Sequence, residues 1–378
     1  MKKVYLDNAA TTPIASEVIE VMQLSMQENF GNPSSIHQYG RTAKTAVENA
    51  RKKIASFFNA TASEIIFTAG GTEADNLILF NAISNLGVTR IISSRVEHHA
   101  VLHTIEFLEK EHGVEVVYLD TDANGSIDLN HLETLLKNTG QKTLVSLMYI
   151  NNEIGTILPL QKVSELCKMY SALFHSDTVQ AIGHYEIDLQ TTTVDFIAAS
   201  AHKFHGPKGV GFAYFRKGFG IKPMLHGGDQ EKGARSSTEN VHSILGMEKA
   251  LELASSSLEE DKIAMNSLKS FFIDELKKIN DKVQFNGVSS DLENSSCTIL
   301  NVLLPVKNEM LLFSLDLHGI AVSGGSACQS GSSKGSHVLA EILNENEEEL
   351  TSVRFSFSRY TQQEEIEYAL TKIKALLS

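Results

Sequence analysis

Seven short apolar runs, at residues 64–68, 90–94, 114–119, 143–148, 172–175, 194–199 and 210–215, most narrow what this chain can fold into. They alternate with helical patterns, as in an α/β domain built on a mainly parallel sheet. A further short strand is expected at 4–6, and a helix over about 41–58. Near Ser243 the pattern changes to a long helical region that runs to about Ile279, with a serine interruption at Ser255-Ser256-Ser257. Beyond it, strands over 298–303 and 353–357 and helices over 309–317 and 362–377 describe a smaller α+β unit. A chain of 378 residues fits two domains better than one. The expected division gives 13–258 to the large domain, and 1–12 with 259–378 to the small one.

Composition removes several classes of function. Lys plus Arg number 33 against 46 Asp plus Glu, a net charge of −13, which argues against a direct nucleic-acid binder or a membrane-surface protein. No apolar run is long enough to span a bilayer, and the start does not read as a signal peptide. The 3 cysteines, Cys167, Cys297 and Cys328, lack zinc-type spacing and leave an odd count, so a reducing, cytoplasmic setting is expected.

The polar residues that carry chemistry follow the strands. Lys203 lies in Ser200-Ala201-His202-Lys203, at the end of the apolar run 194–199, ahead of a Gly206-Pro207 turn. A lysine desolvated there can lose its proton and form a Schiff base with an aldehyde. The plain alternative is a surface lysine beside a turn. Gly70-Gly71-Thr72, between a strand and a helix, either presents helix-start amides to a phosphate or simply makes the turn. Glu97-His98-His99 closes another strand: His98 can stack on a flat ring and move protons, or cap the next helix. Asp177, at the end of 172–175, can pair with a protonated ring nitrogen, with Gln180 donating to the same ring, or it can cap a helix. Asn152 follows the strand 143–148 in a segment that offers amides or a turn. The loop 227–238 carries an arginine and hydroxyls, Thr238 among them, and by itself reads as structural.

Cys328 differs from the other two thiols. Cys167 belongs to a helical pattern and Cys297 opens a strand, so both read as core residues. Cys328 lies in the segment 323–336, where 10 of 14 residues are Gly or Ser, and a mobile, exposed loop is expected there.

Together these segments resemble the cysteine desulfurases of the NifS/IscS-type branch of the class V aminotransferases, nearly end to end. The resemblance rests on Tyr5-Leu6-Asp7-Asn8-Ala9-Ala10-Thr11-Thr12, Gly31-Asn32-Pro33-Ser34-Ser35, Thr72-Glu73-Ala74-Asp75-Asn76 and Asn151-Asn152-Glu153-Ile154-Gly155. Ala201-His202-Lys203, Gly325-Ser326-Ala327-Cys328 and Arg354-Phe355-Ser356 complete it. It implies the fold type I architecture of pyridoxal-phosphate (PLP) enzymes, with a seven-stranded sheet. It implies that Lys203 binds PLP covalently and shuttles the substrate α-proton. Asp177 would face the ring nitrogen and Gln180 the phenolic oxygen, with His98 on the ring. Gly71, Thr72, Ser200 and His202 would hold the phosphate, and Thr238 would reach the phosphate of a second subunit in a homodimer. Arg354 and Asn152 would take the carboxylate of L-cysteine, and Cys328 would take its sulfur.

The activity so implied turns L-cysteine into L-alanine, with sulfur held as a persulfide on Cys328 for an iron–sulfur scaffold or another acceptor, including tRNA thiolation. No resident metal is expected; Cys328 as a transient iron–sulfur ligand is left open. The rivals are a class V aminotransferase, a selenocysteine- or cysteine-specific lyase, and a non-enzymatic sulfur carrier or scaffold. Three positions depart from the pattern: Asp229 and Ser237 stand where glycine is usual, and Gly335 where proline is common.

Overall fold

The computed structural model describes residues 2–137, 140–308, 310–324 and 335–377. In chain order the strands are β1 (Val4–Tyr5), β2 (Ile65–Thr68), β3 (Arg90–Ser94), β4 (Glu115–Leu119), β5 (Thr143–Ser146), β6 (Leu173–Asp177), β7 (Phe196–Ser200), β8 (Gly211–Phe215), β9 (Gln284–Phe285), β10 (Ile299–Leu304), β11 (Ile320–Ala321) and β12 (Thr351–Ser356). The helices are α1 (Ser16–Glu28), α2 (Gln38–Ser56), α3 (Gly71–Ser84), α4 (His99–His112), α5 (Leu129–Lys137), α6 (Leu160–Met169), α7 (Val241–Ser256), α8 (Leu258–Ile279), α9 (Leu311–Leu317), α10 (His337–Ile342), α11 (Glu345–Glu348) and α12 (Gln363–Leu377).

Seven strands form one sheet in the order β2-β8-β7-β6-β5-β3-β4. Only β8 runs against its neighbours, pairing antiparallel with both β2 and β7. The sheet is therefore mainly parallel, as the alternation of strand and helix requires. Strands β2, β3, β5, β7 and β8 are buried along their whole length. That is why their sequences do not alternate apolar with polar residues: the interior of each is apolar, and the polar residues of β3 and β5 sit at the strand ends. One face packs Val47 and Ile54 of α2 and Met247 of α7 onto Val145, Phe174 and Ile197. The other packs Ile78 of α3 and Val101 and Ile105 of α4 onto Ile91, Leu144 and Phe196.

A second core lies between α8, α12 and the antiparallel sheet β12-β10-β9, where Phe272 meets Phe355 edge-on at 4.9 Å. Val4 and Leu6 join this core because β1 pairs with β11. The serine interruption is a real break: Ser257, at φ −133°, separates α7 from α8. Cys328, with most of the Gly/Ser segment, lies outside the described residues. No helix among the described residues is long and apolar enough to cross a membrane.

Candidate active site

Parallel strands bring their carboxyl ends to one edge, and there the expected side chains meet. A cavity of about 200 Å³ is lined by Gly71 and Thr72 at the start of α3, His98 before α4, and Asn152 beyond β5. Asp177 and Gln180 come from the end of β6, and Ser200, His202 and Lys203 from the end of β7. Arg354 of β12 and Ala9 and Ala10 of the N-terminal loop close it. Residues almost 350 positions apart thus share one cavity because β1 and its following loop return to β12: Ser356 N donates to Leu6 O at 2.7 Å.

Lys203 ends a single 3₁₀ turn that follows β7. Its Nζ donates to the carbonyls of Ala9 (2.6 Å) and Ala10 (2.9 Å). Gln180 Nε2 donates to the same Ala9 oxygen at 3.0 Å, so the N-terminal loop holds both side chains at the cavity wall. Asp177 Oδ1 accepts from Val179 N at 2.9 Å, a local turn that fixes the carboxyl. Burial pushes this carboxyl up to about 6, while the Val179 amide and the Lys203 charge pull it down. His98 Nδ1 accepts from Ala100 N at 3.1 Å, so it caps α4 and lines the cavity together; the two readings were never exclusive. Burial first, then the nearby Lys203 charge, lowers it to about 4, which leaves the imidazole neutral at pH 7. His202, whose Nδ1 lies 3.1 Å from Thr11 Oγ1, is likewise lowered by burial to about 4.

Arg354 is 1% exposed and already engaged. Its Nη2 meets Asp7 Oδ1 at 3.0 Å and its Nη1 donates to Asn152 O at 2.7 Å. Nε has no hydrogen bond among the described residues. Asn152 therefore serves here through its backbone carbonyl.

Thr238 is not brought to this cavity. It is exposed, and with Ser237 and Arg235 it borders a separate hollow. The loop that carries it is tied down twice. Glu231 makes a buried bidentate pair with Arg51 (2.6 and 2.8 Å) and accepts Phe67 N at 2.9 Å. Arg235 pairs at 2.7 Å with Glu73, in the first turn of α3. At the departure noted in the sequence, Ser237 holds φ +105°, a conformation that favours glycine.

The sequence reading gave no role to Asp75, although it quoted the residue inside a motif. Asp75 lines the cavity at 1% exposure. Its signal was a carboxylate set between Ala74 and the apolar Leu77-Ile78 of α3, where a solvated face would not place one.

The chain belongs to the class-V aminotransferase family, whose profile matches residues 4–369. It is 44% identical over 380 residues to the cysteine desulfurase IscS of Dictyoglomus turgidum, covering 100% of this chain and 95% of that one. Among solved structures it superposes on a NifS-like protein with a TM-score of 0.91 and 36% identity, covering 100% and 99% of the two chains. It also matches SspA in complex with cysteine, with a TM-score of 0.80 and 31% identity over 95% and 100%.

The cofactor that comes with this membership is PLP, and the residues present fit it. Helix α3 opens on Gly70 with no side chain capping its first amides, so those N–H groups remain for a phosphate. A side chain at Gly71 would fill the cradle, its Cβ landing 2.6 Å from Val179 Cγ2. Gly211 is crowded for a different reason, against the sheet backbone: a Cβ there would collide with the Ala199 carbonyl oxygen and lie 2.9 Å from the Gly70 Cα. A primary amine, a buried carboxylate and a neutral imidazole around one cavity match an aldehyde, a ring nitrogen and a ring face.

Proposed function

We propose that this chain is a PLP-dependent cysteine desulfurase, and that Lys203, His98, Asp177, Gln180 and Arg354 serve one reaction in the cavity they line. The convergence of Lys203 Nζ, the Asp177 carboxyl and the Arg354 guanidinium on that cavity carries the reading. When bound, PLP supplies an electron sink for charge developing at the substrate α-carbon. Lys203 would hold the cofactor through its Nζ and move the α-proton. Asp177, ionised above about pH 6, would pair with the ring nitrogen. Gln180 has a second amide proton, beyond the one given to Ala9, to offer the phenolic oxygen. The amides of Gly71 and Thr72, with Ser200 and His202, would take the phosphate. Arg354 would meet the substrate carboxylate with the donors that Asp7 and Asn152 leave over.

Overall, L-cysteine and the Cys328 thiol become L-alanine and a Cys328 persulfide. The carbon–sulfur bond breaks, a sulfur–sulfur bond forms, and the thiol proton ends on carbon. The carbon is reduced as the two sulfurs are oxidised, so no outside oxidant is needed. The persulfide would pass to an iron–sulfur scaffold or another sulfur acceptor. A homodimer gives Thr238 a use: outside its own cavity, it would reach the phosphate of a second copy. The division into domains 13–258 and 1–12 plus 259–378 belongs to the same reading. The family alone would also admit an aminotransferase; the desulfurase names among full-length relatives favour sulfur chemistry.

The test is Cys328→Ala. The variant should keep PLP and bind L-cysteine yet release almost no alanine or sulfide. The native chain, given L-cysteine without reductant, should gain one reducible sulfur on Cys328 by intact mass and peptide mapping. Normal sulfide release by Cys328→Ala would point to a lyase, and a persulfide on Cys167 or Cys297 would move the acceptor thiol.

A further inference from the structure

Behind the Asp177 carboxyl lies a second carboxyl that the reaction as described does not use. Asp75, on the second turn of α3, borders the same cavity at 1% exposure. Neither of its oxygens has a hydrogen bond among the described residues. Its nearest basic neighbour is His175 of β6, whose Nε2 stands 3.3 Å from Oδ1 and is likewise without a hydrogen bond among the described residues. His175 is fully buried, and its Nδ1 lies 2.9 Å from Ser146 Oγ. The two atoms are close enough to share one proton, though as they stand they miss the geometry of a hydrogen bond, and a small turn of either side chain would close the pair.

We infer that Asp75 is kept as the neutral acid, giving its proton to Nε2 of His175, and that this leaves Asp177 as the ionised carboxyl facing the cofactor. The inference rests on the reading in which Asp177 meets the ring nitrogen of PLP.

The alternative arrangement is an Asp75 carboxylate against a His175 imidazolium. The surroundings decide between them. Around Asp75 stand Asp177 and His175 from β6 and Glu97 from the turn before α4, and His98 and Lys203 line the same cavity. Burial, and then the charges of Asp177 and Glu97, push Asp75 well above the ordinary carboxylate range. Burial pushes His175 down to about 3, which disfavours the imidazolium. Glu97 is itself driven up to about 8 by burial, so it too tends to keep its proton. Glu97 does accept Met148 N (2.9 Å) and Ser94 Oγ (3.2 Å), but Asp177 has the nearby Lys203 charge in favour of its anion as well as the amide of Val179. Two carboxylates side by side cannot both ionise cheaply, so the one without donors holds the proton. With Nε2 accepting, His175 must carry its own proton on Nδ1 and donate it to Ser146 Oγ, which locks the ring. Asp75 is thus a positioning residue: it acts through His175 and through the charge it withholds from Asp177.

The apo chain tests this without the reaction. Near neutral pH, the infrared difference between native and Asp75→Asn should show loss of a carboxylic-acid carbonyl band. Loss of a carboxylate band alone would overturn the inference. Side-chain ¹⁵N NMR should find His175 neutral and protonated at Nδ1; an imidazolium would overturn it as well, on the native chain, even were the variant to misfold. PLP titration adds a third readout. Asp75→Ala, which removes the donor, should weaken PLP binding about tenfold or more, the scale of one unsatisfied buried group. Asp75→Asn supplies an N–H in the place of the O–H and should recover most of that loss. An Asn variant as weak as the Ala variant would mean that the charge, not the proton, matters. Failure of the native chain to bind PLP would sink the functional reading and leave the infrared and NMR results standing.

Discussion

Gly71→Ala puts the phosphate cradle to a direct test. The new Cβ would lie 2.6 Å from Val179 Cγ2 and 3.7 Å from Ser200 Cβ. Carbon atoms in ordinary contact stand about 3.5–4.0 Å apart, so roughly an ångström of movement is needed. Valine has a stiff χ1 and cannot swing aside, and Val179 sits in the turn that fixes Asp177. Either the first turn of α3 or the 177–180 turn must therefore shift, and both line the cavity. Overpacking of this kind costs about 1–3 kcal/mol. Paid out on the cofactor site, that is about a fivefold to 150-fold rise in the Kd for PLP. The assay is a PLP titration of the apo chain, with urea unfolding of the apo chain alongside. Gly140→Ala is the control, because nothing lies within 4 Å of its added Cβ. A Gly71→Ala chain that binds PLP as tightly as native, at unchanged stability, would refute the cradle.

Two further outcomes follow from particular contacts. Arg354→Lys keeps a charge near Asp7 but loses the planar fork, so the KM for L-cysteine should rise roughly thirtyfold, about 2 kcal/mol, with the Kd for PLP changing much less; steady-state kinetics and PLP titration separate the two, and equal rises in both would make Arg354 structural. His205, lowered to about 4 chiefly by burial, takes up its proton more readily in the unfolded chain, where histidine titrates at about 6.5. The native chain should therefore lose stability as pH falls from about 6.5 to about 4, by at most about 3 kcal/mol from this residue. His205→Asn should flatten that slope in urea unfolding, and Asn also suits the residue's φ of +65°; parallel pH curves for the two chains would remove His205 as the cause.

The sheet was legible because burial on both faces of most strands leaves apolar clusters without a polar alternation. All seven expected runs became β2 to β8, shifted by a residue or two at their ends. The two-residue pair β1 and β11 left no such trace for β11, since so short a strand has no period and its pairing is set by the distant return of the chain. The loop 227–238 reads by itself as structural, and its strained backbone was invisible. Glu231 and Lys232 hold φ of +48° and +58°, and Arg51, 180 residues away, grips Glu231 there. Local propensity says nothing of such a clamp. Arg354 illustrates the same limit: its residue type announced an anion, but not that Asp7, at the other end of the chain, would take part of its fork.

Position and charge state were legible to different degrees. A parallel sheet sends every strand's carboxyl end to one edge, so Asp177, Lys203 and His98 could be placed together from their positions after apolar runs. Their protonation could not, because it depends on what surrounds each group in three dimensions. Asp75 and Asp177 are the same residue type on one cavity, yet among the described residues one accepts no hydrogen bond and the other has an amide and a nearby ammonium. That difference decides which carboxyl can be an anion, and it arises only when α3 is laid against β6. The bulk charge of −13 points the same way for the whole surface and says nothing about the cavity. There, each further negative charge makes the next harder to form. A cavity bordered by Asp75 and Asp177 with Glu97 close by can keep a single working carboxylate only if the other two hold their protons, which makes the donors around Asp177 as much a part of the site as Asp177 itself.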